Sequence, residues 1–145
     1  MMKKGMLINP SGFVEMVEFP TELPVEERLR WYYDVLGCDL VTFVQPYGLE
    51  AIAKEYGLKS YIGKYCMICD DEALLKEQPH ANPVASLLYG VLNHGQPLFG
   101  KVLVAKNEET IDGMDTVGLD EEDAKALMVS IDTLISGYNE RVREG

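Results

Sequence analysis

The chain predicts an α+β fold: a single small sheet of about five strands covered by helices, with a long acidic C-terminal helix. Three observations carry this. Five short runs rich in β-branched and aromatic residues alternate with amphipathic stretches. The amphipathic stretches in the middle are short and the chain opens on two consecutive strands, against a doubly wound parallel sheet. Residues 119–143 then carry one helical apolar stripe over about five turns. At 145 residues the chain fits one domain, 1–145, large enough to bury a core without disulfides or metal.

Residues 5–9 and 13–19 read as strands around the turn Pro10-Ser11-Gly12, with Phe13, Glu15, Val17 and Phe19 sharing one face. Residues 24–36 read as a helix. Pro24 suits its first turn, Glu26 and Glu27 favour the dipole there, and Gly37 suits a left-handed C-terminal stop. Asp39 to Val44 is a β-branched run, hence a strand, and 49–56 a short helix closed by Gly57. Tyr61 to Cys69 is strand-like with Gly63 as a bulge, followed by a polar turn at Asp70-Asp71-Glu72. Asn82 caps the next helix, Pro83 takes its first position, Val84, Leu87, Leu88, Val91 and Leu92 make its stripe, and Gly95 stops it. Phe99 to Lys106 is a strand and Asn107 to Gly118 a loop. Asp120 caps the last helix, with Ala124, Leu127, Met128, Ile131, Leu134, Ile135, Tyr138 and Val142 on one face.

The net charge is −11, unevenly spread: residues 1–107 hold 13 acids and 10 bases, residues 108–145 hold 11 acids and 3 bases. Such a surface repels phosphates, so nucleic acid is not an expected partner; it suits a basic partner surface, or simply solubility. No run approaches the ~20 apolar residues of a membrane helix. The N-terminal MMKKGMLINP is too short in apolar residues for a secretory segment, and Cys38, Cys66 and Cys69 are too few for a disulfide framework, so a cytoplasmic setting is expected.

The segment 70–85, DDEALLKEQPHANPVA, followed by PLFGKVLVA at 97–105, resembles the Domain of Unknown Function 3846 family. The matching elements are Asp71-Glu72, Leu75-Lys76, Pro79 with Asn82-Pro83, and Gly100 with Val102 to Val104; the FVEMVEF strand resembles the family's opening. The likeness spans roughly 1–106 and excludes the acidic helix at 119–143. It implies a small cytoplasmic protein of plasmids, phages and conjugative elements, and no catalytic residue.

Cys66-x-x-Cys69 admits a metal or redox reading, but only Cys38, His80 and His94 could complete a zinc site, and in a strand the two thiols point to opposite faces. Two buried small hydrophobes is the preferred reading. Asp70, Asp71 and Glu72, with His80 close behind, could hold a divalent cation or serve as paired carboxylates of a small metal-dependent enzyme; a solvated turn is the plainer account. With Asn82 they are the candidate ligand-binding residues, since a helix N-terminus suits anions. Ser11, Ser60 and Ser86 lack a nucleophile-elbow setting, and no phosphate-binding glycine loop occurs. Eight tyrosines, among them Tyr56 and Tyr61, give a rim of amphipathic rings. Trp31, Tyr32 and Tyr33 are consecutive on a helix, so at least one ring should be exposed or partner-bound. The expectation is therefore a non-enzymatic accessory protein, without cofactor, that binds a protein or small ligand, with the C-terminal helix or Trp31–Tyr33 available for a homodimer.

Overall fold

The computed structural model describes residues 3–55, 57, 63–91, 95–111 and 113–144. Tyr56, Ser60, Tyr61, Leu92 and His94, which entered the sequence reading, lie outside the described residues. The fold is α+β, built on one antiparallel sheet. The strands are β1 (Lys4–Ile8), β2 (Val14–Glu18), β3 (Val41–Val44), β4 (Tyr65–Asp70), β5 (Val102–Thr110) and β6 (Gly113–Val117). The helices are α1 (Val25–Leu36), α2 (Tyr47–Glu55), α3 (Pro83–Tyr89) and α4 (Glu121–Glu144), with a 3₁₀ turn at Ala73–Leu75. The strand order is β2-β1-β5-β4-β3, and β6 pairs with the far half of β5. β1 and β6 thus lie end to end along one side of β5, joined by reciprocal backbone bonds between Lys4 and Leu119.

Alternation along the central strands divides the apolar residues between two faces. Met6, Ile8, Met67, Cys69, Val102 and Val104 pack with Leu49 of α2, Ala85 and Leu88 of α3, and Leu127 and Ile131 of α4. Leu7, Cys66, Ile68, Leu103 and Ala105 point the other way, onto Tyr32 and Leu36 of α1 and onto Phe19. Among the described residues the sheet is therefore covered on both sides, by α1 on one and by α2, α3 and α4 on the other.

The segment 107–118 is not a loop: it holds the outer half of β5 and all of β6. Both are mostly polar on both faces (Asn107, Glu108, Glu109 and Thr110 opposite Thr116, Asp115, the exposed Met114 and Gly113), so no apolar period marks them. Their backbone ladder holds them, with Thr110 Oγ1 donating to Gly113 O at 2.7 Å. Three boundaries also move. Gly63 is not a bulge but part of the turn before β4, with φ +75°. α3 stops at Gly90, whose left-handed backbone donates to Leu87 O and Ser86 O, ahead of Gly95. Pro24 sits at the cap position of α1, one residue before the helix.

α2 and α3 cross closely because Gly48 has no side chain. A Cβ there would lie inside contact distance of Leu87 O and 3.0 Å from Leu88 O. Gly48→Ala should therefore cost about 2 kcal/mol by forcing the helices apart, despite alanine's better helix propensity. Gly137→Ala, facing open space in α4, should instead gain about 0.5–1 kcal/mol. Urea melts of both variants give the opposite signs if the crossing is what fixes Gly48.

Candidate functional site

The acidic turn after β4 does not gather its side chains. Asp70 is turned inward: Oδ1 accepts from Glu72 N at 2.9 Å, and Oδ2 lies 3.2 Å from Lys76 Nζ. Lys76 Nζ also donates to Gly37 O at 2.9 Å, tying the turn to the end of α1. Asp71, Glu72 and His80 point to solvent. Among the described residues, no group of three or more His, Cys, Asp and Glu side chains could hold a metal ion.

Asn82 is wholly buried, and protein groups occupy its amide. Oδ1 accepts from Ala85 N at 3.1 Å as the helix cap. Nδ2 donates to Ile8 O at 2.9 Å and to Gly100 O at 2.8 Å. The side chain pins α3 to β1 and to the approach of β5, leaving no donor for a ligand.

Cys66 and Cys69 are both buried, on opposite faces of the sheet. Burial pushes each thiol up to about 11; the neighbouring Asp70 and Asp71 add to this at Cys69. Thiols held so strongly protonated are poor nucleophiles and poor ligands. Of the aromatic trio, Tyr32 is buried, and loss of water pushes its hydroxyl up to about 12 although Arg28 acts in the other direction. Trp31 and Tyr33 are half-buried, with Trp31 set edge-on to Phe19 at 5.3 Å.

Sequence spacing gave no sign of two polar clusters. Arg28, buried in α1, donates from Nη1 to Thr116 O and from Nη2 to Asp115 Oδ1 at 3.0 Å, clamping α1 to β6. Asp123, in the first turn of α4, receives Lys106 Nζ at 3.0 Å, Lys64 Nζ at 3.2 Å and the Tyr65 hydroxyl at 3.4 Å. It also completes a reciprocal cap with Asp120: Asp123 N donates to Asp120 Oδ1 and Asp120 N to Asp123 Oδ2. Burial would raise this carboxyl, but the Lys106, Asp120 backbone and Lys64 bonds outweigh it and bring it down to about 2. The cluster anchors the start of α4 and is structural.

One apolar flank among the described residues is open to a partner. Leu127 and Ile131 of α4 are buried, but Ala124, Met128 and Val129 line a groove of about 660 Å³ with Val14 and Met16 of β2. Val129, 65% exposed, also borders a second depression shared with Leu49, Ile52 and Ala53 of α2. Farther along, the apolar stripe outruns the core: Tyr138 is 42% and Val142 58% exposed. The stripe was legible as one face of a helix; its division into a buried and an open part depends on where the sheet ends.

No helix among the described residues is long and apolar enough to cross a membrane. No family model, no curated protein and no solved structure matches the chain.

Proposed function

We propose that the chain is a non-enzymatic binding protein that engages another protein through the open flank of α4 and the adjoining face of β2. One observation carries this reading: apolar side chains from two elements, the half-buried Val14 and exposed Met16 of β2 and the exposed Met128 and Val129 of α4, border one groove. A contiguous apolar surface of this kind marks interaction sites, whereas scattered exposed residues do not. The carboxylates at 70–72, by contrast, diverge into a lysine pair and solvent, which gives the metal-dependent reading no support. The likeness of 70–85 and 97–105 to the Domain of Unknown Function 3846 family supports an accessory role on a plasmid, phage or conjugative element.

A photo-crosslinking residue placed at Val129, in the protein expressed in its own host, should yield an adduct of discrete mass. The same residue at Arg30, exposed on α1 across the sheet, should yield none. Equal labelling from both positions, or none from Val129, removes the proposal.

A further inference from the structure

We propose that the β2–α4 flank receives a cationic amphipathic helix from a partner protein. This rests on the binding role just given and names the partner's chemistry. The geometry comes first. The three-helix layer over the sheet covers β1, β5 and β4 through Met6, Val104 and Met67, but leaves Val14 of the edge strand half-buried and Met16 open beside α4. The layer is one helix short at this edge. β2 has five residues, a length of about 17 Å, so a helix of about three turns fits along it. Such a segment would place apolar residues at i, i+3, i+4 and i+7 on Met16, Met128 and Val129. Methionines at two of the contact points adapt to the shapes of incoming side chains.

Charge selects the occupant. Between Glu121 and Glu140, α4 has five acids and one base, ahead of Arg141 and Arg143 in its last turn. The base, Lys125, pairs with Glu121 at 3.5 Å, and Asp123 is committed to Lys64 and Lys106. Glu122 and Asp132 remain as excess negative charge along the helix. Lys4, opposite Glu18 on β1, offsets only that residue. A second copy would bring two strongly acidic segments together, and an anionic membrane would be repelled for the same reason. A helix with lysine or arginine flanking its apolar face complements both properties of the flank.

The test uses the full chain with methyl-labelled methionine and a synthetic helix of leucine and lysine, leucine at i, i+3, i+4 and i+7. The methyl resonances of Met16 and Met128 should shift on titration while those of Met6 and Met67, both fully buried, stay in place. Raising salt from about 0.05 to about 0.5 M should weaken binding about tenfold or more, and a peptide with glutamate for lysine should leave the spectrum unchanged. Met128→Asp separates docking from charge attraction: it should weaken the lysine peptide about tenfold by removing an apolar anchor, whereas attraction alone would strengthen it. Stronger binding by that variant, equal binding of both peptides, or shifts confined to other residues overturns the proposal. So does a doubled native mass with Met16 and Met128 at the junction. Peptide failure with a persisting Val129 adduct means that the partner has different chemistry; loss of both overturns the binding role itself.

Discussion

Replacing Asn82 by alanine should lower the unfolding free energy by about 4 kcal/mol, close to the largest effect of any single substitution in this chain. The cap to Ala85 N accounts for about 1 kcal/mol of this. The rest comes from the buried carbonyl of Ile8 and the part-buried carbonyl of Gly100, which lose their donor; each orphaned group costs about 1–3 kcal/mol. Asn82→Asp is the informative companion. Aspartate is as good a cap as asparagine, so a residue that only capped α3 would tolerate it. Here it would aim a carboxylate oxygen at two carbonyl oxygens, and should destabilise at least as much as alanine. Urea melts of the two variants decide the point: a near-neutral aspartate variant would show that the two long-range bonds contribute nothing.

Asp123→Asn should cost about 2–3 kcal/mol at neutral pH, because Lys106 and Lys64 lose their counter-charge at a site 4% exposed on the acid's side. The effect should depend on pH in a defined direction. The carboxyl lies at about 2 in the folded chain against 3.8 for an ordinary aspartate, so the unfolded chain binds a proton first as acid is added. The contribution is thus fully present above about pH 4 and lost as pH falls towards about 2, for a total of about 2 kcal/mol. Lys106, held above its ordinary range chiefly by its bond to Asp123, carries the same pair into alkali, where its contribution fades as the pH climbs through its raised value. The difference between wild type and Asp123→Asn, measured by urea melts from about pH 2 to about pH 7, should shrink at the acid end. A constant difference would show that the pair does not hold the first turn of α4.

Local signals are legible in the chain. Gly37 and Asn82 announce a helix end and a helix start because each acts on backbone groups a few residues away. The opposite facing of Cys66 and Cys69 follows from a period of two along β4. What escaped is non-local or polar. Tyr65 and Asp123 meet across 58 positions and Arg28 and Asp115 across 87, so no spacing rule joins them. Asn82 was legible as a cap and illegible as a pin, since Ile8 lies 74 positions away. The outer β5–β6 hairpin leaves most of its side chains in water and so lacks the alternation that marks a buried strand. The flank of α4 is an intermediate case: its apolar stripe is written in the sequence, but only the sheet edge at β2 determines which part stays open.

The end-to-end seating of β1 and β6 against β5 also orders events during synthesis. Met6 meets Val104 and Lys4 meets Leu119, partners about a hundred residues downstream. The opening hairpin therefore leaves the ribosome long before the strand that will shield Met6 and Ile8 exists. Closing so wide a loop is slow, and the hairpin's apolar face is exposed throughout. The β5–β6 hairpin, whose partners are close in sequence, can form as soon as it emerges. It can then present a prepared edge to a strand that has been waiting since the start of translation.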